Sequence, residues 1–305
     1  MVKSCVIGLG PMGRNHARVL ADLPGVSLAG VADPSEGARV AYAVPQGVEV
    51  FADYRELLAK LRPDAVTVSV PTELHCEVTC AALEAGAHVL VEKPIASTLD
   101  EADRMAAAAV RAGKQLMVGH VERFNPAVLE LKRAIAAGEV GRIFQLHARR
   151  NGLFPGRVQD VGVILDLATH DIDVMHFLTG SSVARVSAET AQGTPEAMLA
   201  GLLRFESGAI GVLDVHWLAP SKVRELTIVA EGGTYVVDYL SQEVRVHRVG
   251  GVAEQVEVVR REPLRCEHER FVACIREACS PDVPASAGRD ALEVALRLLA
   301  SAARS

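Results

Sequence analysis

The sequence has no Cys-x-x-Cys pair, no long apolar run, no basic excess and no internal repeat, and each of these lacks removes a class of protein. Its six cysteines (Cys5, Cys76, Cys80, Cys266, Cys274 and Cys279) sit in apolar or helical contexts with no accompanying histidine cluster. They read as reduced structural thiols of a cytosolic protein. Cys76 and Cys80 are one helical turn apart, but two thiols alone make a poor metal site, so no metal is expected. Charged or polar residues break every apolar run within about ten positions, well short of a membrane span. The 38 acids and 32 bases are spread along the chain and leave a net charge of −6, which provides no basic surface for nucleic acid or an anionic membrane. The opening MVKSCVIGLG carries one lysine, an apolar stretch that stops at glycine and no small-residue cleavage site. It reads as a strand, not a signal peptide, and a soluble cytoplasmic protein is expected.

What is present is enough hydrophobic sequence for real cores: half of 305 residues. That length predicts two domains. Residues 2 to about 120 alternate short β-branched runs with longer amphipathic segments, the pattern of an α/β, doubly wound parallel sheet. Strands are predicted at 3–7, 27–32, 65–70, 88–92 and 115–118. Helices are predicted at 13–23, 54–60, 74–84 and 99–112, the last capped by Ser97 or Thr98. A further helix at 126–137 ends at Gly138 and Gly141.

Beyond it, runs at 144–150, 184–189, 209–217, 224–230, 234–238 and 244–249 are strand-like and joined by tight turns. They predict a mostly antiparallel sheet, hence a Rossmann domain over 1–120 and an α+β domain over 121–305. Closing helices are predicted at 267–278 and 289–303, the last packing back on the first domain. With no long linker, the two domains should share a cleft that serves as the active site.

Gly8-Leu9-Gly10-Pro-Met12-Gly13 directly follows the first strand and opens a helix. Gly8 permits the tight turn, Gly10 lets a pyrophosphate approach the backbone, and Gly13 lets the helix lie close to the strand. The helix N-terminus adds amide donors and a favourable dipole. Asp33, at the end of the second predicted strand, stands where an acid binds ribose hydroxyls and repels a 2′-phosphate. The expected cofactor is NAD, with Gly8, Leu9, Gly10, Met12, Gly13 and Asp33 among its contacts.

The fourth alternating unit ends in Glu92-Lys93-Pro94, at the carboxyl end of a buried strand where ligands of open α/β sheets bind. With the glycine turn and Ser69-Val-Pro71-Thr72-x-x-His75, this stretch resembles the Gfo/Idh/MocA oxidoreductase family over essentially the whole chain. The resemblance implies that Lys93 sits beside the nicotinamide and the reacting hydroxyl, suited to donate or relay a proton. It places Pro71, Thr72, His75 and Glu92 with Lys93 at the cofactor. It also matches Asp166-x-x-x-His170 to the family's catalytic pair. Four residues apart on a helical stretch, these two would share a face on which the carboxylate orients the imidazole. Asp171, Asp173 and His176 read instead as interface or solvated residues.

Gly119-His-Val-Glu-Arg123-Phe-Asn125-Pro126, Arg149-Arg150-Asn-Gly-Leu-Phe-Pro155 and the segment from Asp160 to Asp173 resemble a branch of that family. Its members oxidise the C3 hydroxyl of UDP-N-acetylglucosamine ahead of an aminotransferase. On this resemblance Arg123 and Asn125 lie near the substrate. Residues 142–157 carry Arg142, Arg149, Arg150 and Arg157 and no acid, an excess suited to a substrate diphosphate. A dehydrogenase of another sugar or an inositol remains as an alternative, and so does a non-catalytic sensor of dinucleotide or sugar. A homodimer or homotetramer is expected.

Overall fold

The structure is a computed structural model that describes residues 1–42, 45–154, 161–191, 195–248 and 250–303. Its backbone contacts divide the chain into two compact units. The first comprises Met1–His120 and Leu264–Asp290, the second Val121–Pro263 and Ala291–Ser305.

The first unit is built on β1 (Val2–Ile7), β2 (Val26–Ala32), β3 (Glu49–Phe51), β4 (Ala65–Val68), β5 (His88–Glu92) and β6 (Leu116–Gly119). All pair in parallel, in the order β3-β2-β1-β4-β5-β6. The order reverses between β1 and β4, so loops leaving the carboxyl ends of those strands diverge and open a crevice for a ligand. The connections are α1 (Pro11–Ala21), α2 (Glu36–Ala41), α3 (Tyr54–Leu61), α4 (His75–Glu84) and α5 (Leu99–Ala112). On α1 the residues Gly13, His16, Ala17, Val19 and Leu20 form one buried face. Of the two predicted caps for α5, Thr98 is used: its hydroxyl accepts from the Glu101 amide and the Glu101 carboxylate accepts from the Thr98 amide.

The chain returns to this unit in α8 (Pro263–Glu277), which buries Cys266, Phe271, Val272 and Cys274. The final helix, α9 (Ala285–Ala302), gives its residues up to Asp290 to the first unit and the remainder to the second. The sequence pattern places all of 121–305 in one domain apart from the last helix. It is α8 that joins the first unit, because its apolar stripe is buried there.

The second unit carries β7 (Ile143–Leu153), β8 (Val183–Ala191), β9 (Met198–Phe205), β10 (Ile210–His216), β11 (Leu218–Ala230), β12 (Gly233–Asp238), β13 (Glu243–His247) and β14 (Glu254–Val256). They form one eight-stranded sheet in the order β14-β13-β12-β11-β7-β10-β9-β8. Every pair is antiparallel except β7 with β10. Two helices, α6 (Pro126–Ala136) and α7 (Thr169–Thr179), supply Val128, Leu131, Ile172 and Met175 to a core shared with Leu146, Leu203, Leu213, Leu226 and Val237 of the sheet. This is an α+β unit with its helices against one sheet face.

Four short elements escaped prediction: β3, α2, β9 and β14. The strand β9 reads MLAGLLRF, apolar on both faces, so its alternation of buried and exposed positions is invisible in the letters. The others are six residues or fewer, too short to show a period.

Candidate active site

In the first unit the phosphate-binding turn is shaped by what cannot fit. A Cβ on Gly8, whose φ is +95°, would lie 2.2 Å from the Ser69 carbonyl oxygen, and one on Gly13 would lie 1.8 Å from that of Gly8. Both positions therefore require glycine. At Gly10 a Cβ would meet nothing within 4 Å. The space above Gly10 is open at the N-terminus of α1, where Gly10 caps the helix without a side chain and Pro11 follows as its first residue. First-turn amides of a helix have no partners within it, and with open space above Gly10 they fit a pyrophosphate.

Asp33 closes the turn from the side. Its carboxylate accepts from the Leu9 amide at 2.7 Å and the Ser35 amide at 2.8 Å. Leu9 itself is buried, and Met12 is half-buried on the first turn of α1. Pro71 is exposed and Thr72 half-buried at the turn Thr72–Leu74 that leads into α4. His75 is buried, with Nδ1 at 2.8 Å from the Pro94 carbonyl and Nε2 at 3.0 Å from that of Val70. Its ring thus ties the loop after β4 to the Glu92-Lys93-Pro94 turn, and burial pulls its pKa below 6.5.

Lys93 is half-buried at the end of β5, and the Lys93–Pro94 peptide is cis. Beneath it Glu92 is buried. One Glu92 oxygen accepts from the Lys93 amide at 3.1 Å, and the other lies 2.8 Å from His16 Nε2. Burial opposes the charge on Glu92, but the His16 contact and the Lys93 charge hold its pKa below the usual carboxylate range. His16 continues through Nδ1 to His268 Nε2 at 2.8 Å. Sequence reasoning found neither histidine. His16 lies three residues past Gly13 on the buried face of α1, which was the one available signal, and nothing in the local sequence marks His268.

In the second unit Asp166 lies in a wide π turn, Ile164–Ala168, and His170 in the first turn of α7; both are half-buried. The segment was expected to be regular helix. A π turn instead widens the backbone at Asp166, a local irregularity common at functional sites. Asn125 is buried and caps α6 by accepting from the Ala127 amide, while its amide nitrogen donates to the Tyr239 carbonyl at 3.0 Å. Arg149 is exposed on β7, 3.9 Å from Asp214 and 3.8 Å from Glu225.

Asp171 and Asp173, read from the sequence as interface or solvated residues, are buried and paired. Arg123 donates to Asp173 through two nitrogens at 2.7 and 2.6 Å. Arg150 donates to Asp171 at 2.8 and 3.0 Å, and to Glu122 at 3.0 Å. Burial alone would lower the Arg150 pKa, yet Asp171 and Glu122 raise it, so the guanidinium stays charged. Asp171 stands 21 residues from Arg150 and Asp173 stands 50 from Arg123, separations at which no local pattern pairs an acid with an arginine. Arg224 of β11, next to Arg150, was also missed; burial and the Arg150 charge bring its pKa down to about 10. Arg157 lies outside the described residues. Among the described residues no cluster of three or more potential metal ligands occurs, and no helix is long and apolar enough to cross a membrane.

A parallel sheet with a glycine turn at its switch point, an acid closing that turn and a lysine at the end of a neighbouring strand define a dinucleotide-dependent oxidoreductase. Residues 2–120 match the oxidoreductase family with an NAD-binding Rossmann fold, and residues 128–236 match the Gfo/Idh/MocA C-terminal domain. The chain belongs to the Gfo/Idh/MocA oxidoreductase family, and NAD is the cofactor of its first unit.

Its relatives include the UDP-N-acetylglucosamine 3-dehydrogenase of Acidithiobacillus ferrooxidans, 30% identical over 97% of this chain and 96% of that one. The solved structure of that enzyme superimposes with a TM-score of 0.90, covering 98% of this chain and 97% of the other. Inositol 2-dehydrogenase 2 of Saccharopolyspora erythraea is 38% identical, over 61% of this chain and only 56% of its own length. The NAD-dependent scyllo-inositol 2-dehydrogenase of Bacillus subtilis is 28% identical over 92% and 88%.

Proposed function

We propose that the protein uses NAD to oxidise the C3 hydroxyl of UDP-N-acetylglucosamine, giving the 3-keto sugar nucleotide that an aminotransferase then consumes. The observation that carries this reading is the end-to-end likeness to the Acidithiobacillus enzyme in both sequence and backbone. When bound, NAD supplies the acceptor for the hydrogen and two electrons leaving the carbinol carbon.

The residues of the chain do the rest. His170 takes the hydroxyl proton and Asp166 steadies the resulting imidazolium. Lys93 holds the substrate oxygen and stabilises the negative charge it develops. Gly8, Leu9, Gly10, Met12 and Gly13 offer the pyrophosphate a backbone cradle, and Asp33 takes the ribose hydroxyls. Pro71, Thr72, His75 and Glu92 shape the wall along the nicotinamide. Arg149, exposed and held by only loose ion pairs, is the arginine of the set best placed to meet a substrate phosphate. Arg157 is assigned to the same anion. Arg123, Arg150 and Asn125 are assigned to the substrate side of the site.

One observation favours a second reading, oxidation of a free inositol. Arg123 and Arg150 are each committed to buried carboxylates, which reduces the guanidinium available for a diphosphate. The test mixes protein and NAD with UDP-N-acetylglucosamine or with myo-inositol and follows reduced cofactor by absorbance. A mass spectrum of the first mixture, with the aminotransferase present, seeks the amino product. Reduction by inositol alone removes the sugar-nucleotide reading, and reduction by neither restores the sensor.

Copies of the chain associate into a dimer or tetramer. Support comes from the outward face of the eight-stranded sheet, where Leu202 of β9 and Val229 of β11 stand exposed. Light scattering that reads only a monomer on dilution removes this part.

A further inference from the structure

Three buried side chains from three separate elements of the first unit meet directly behind Lys93. His16 comes from α1, the helix that begins at the phosphate-binding turn; Glu92 ends β5; His268 comes from α8. Both links in the chain are 2.8 Å long, and the far oxygen of Glu92 receives the Lys93 amide. The side chains of His16 and His268 are completely inaccessible to solvent. We propose that His16 and His268 are positioning residues that keep Glu92 fixed and ionised beneath Lys93, and so set the charge state and aim of the lysine that the proposed function assigns to the substrate oxygen.

The hydrogen-bond roles follow from the burial. A neutral His268 donates from Nε2, His16 accepts that proton at Nδ1 and donates from Nε2, and Glu92 accepts as a carboxylate. This arrangement satisfies both contacts with each proton used once. His268 Nδ1 has no partner among the described residues, which suits a lone pair and would be costly for an N–H. Burial, and then the neighbouring His16, push the His268 pKa well below 6.5, in keeping with the neutral ring.

The other ionisable groups facing Glu92 do not compete for its charge. From α4, His75 has both nitrogens against main-chain carbonyls. From α8, Glu267 is fully buried with neither carboxyl oxygen hydrogen-bonded. Burial and then Glu92 push its pKa well up, so it is neutral and Glu92 remains the one carboxylate there. From β5, Lys93 supplies the opposite charge. Apolar side chains would fill the same space with no desolvation cost. What the histidines add is a carboxylate that cannot turn away from Lys93, and a rigid tie from the phosphate-binding helix to the lysine turn.

The labelling itself needs no substrate. The full chain is treated with acetic anhydride across a range of pH, and mass spectrometry follows acetylation of the peptide carrying Lys93. Without its hydrogen bond from His16, the Glu92 carboxylate is free to turn away from Lys93 and supports the lysine charge less. His16→Leu and His268→Leu are therefore expected to move half-maximal labelling of Lys93 to lower pH by about half a unit or more. His16→Gln can donate to Glu92 and accept from His268, and it is expected to restore the wild-type curve and to fold where leucine does not. Unshifted curves in both leucine variants, or a His16→Gln curve as displaced as that of His16→Leu, overturn the proposal. Turnover by Lys93→Ala is measured in parallel: full activity there, with the labelling shift present, removes the catalytic role of Lys93 and leaves the tie standing.

Discussion

The carboxylate of Asp33 accepts a hydrogen bond from the Leu9 amide at 2.7 Å, so the acid proposed for the ribose also holds the phosphate-binding turn closed. Asp33→Ala loses both services. NAD affinity is expected to fall about tenfold or more, the worth of a hydrogen bond to a charged group. Loss of the repelling charge should also raise binding of NADP relative to NAD. Fluorescence titration with each cofactor measures both, and an unchanged ratio would exclude Asp33 from the ribose site.

Gly8 and Gly10 should fail differently. Gly8→Ala forces a methyl to within 2.2 Å of a main-chain oxygen at a positive φ, so it is expected to lower the melting temperature of the free protein. Gly10→Ala places its methyl in open space and should melt as wild type does, yet bind NAD more weakly. Equal melting losses in the two variants would contradict this.

Lys93→Ala is expected to reduce kcat by about 10²–10⁴, the usual contribution of a positioned proton-transfer or charge-stabilising group. The NAD dissociation constant should stay within a few-fold of wild type. Steady-state rates paired with cofactor titration give both numbers, and wild-type turnover would remove the lysine from the chemistry.

Glu267 gives a pH dependence of stability. Its folded-state pKa is raised above 4.5, so between those two values the folded chain holds a proton that the unfolded chain has released, and stability falls as pH rises. Glu267→Gln abolishes that linkage. Its melting temperature should exceed wild type by a margin that widens as pH rises above 4.5; a constant margin would mean that the carboxyl does not titrate abnormally.

Arg150→Ala leaves Asp171 and Glu122 without their cation in a buried place, a loss of about 3–5 kcal/mol. Arg149→Ala, one residue away but exposed, should cost under about 1 kcal/mol. Urea denaturation of the two variants compares them directly, and similar midpoints would count against the buried pair.

The parts of this molecule legible in its sequence are those fixed by local stereochemistry. A glycine whose Cβ has no room, or a lysine that must stop at a strand end, carries its reason within a few letters. Gly8, Gly13 and the end of β5 could be placed for that reason. His16 and His268 could not, being 252 residues apart and joined only by the folding of α8 into the first unit. The arginines of β7 show a different limit. Arg149 and Arg150 are the same letter, and only the pleat decides that one meets solvent and the other a buried aspartate. The strand β9 was hidden because leucine fills both its faces.

That alternation on β7 bears on how the large sheet assembles. Were β7 to join β10 and β11 one residue out of step, in the direction that carries Arg149 to the buried place of Ala148, its side chain would enter the core with no acid to receive it. Arg150 would swing into water, and Asp171 would be stranded as a bare buried anion. Two adjacent cations of opposite orientation thus penalise that misalignment at the centre of the sheet, because it buries one charge without a partner and strips another of its own.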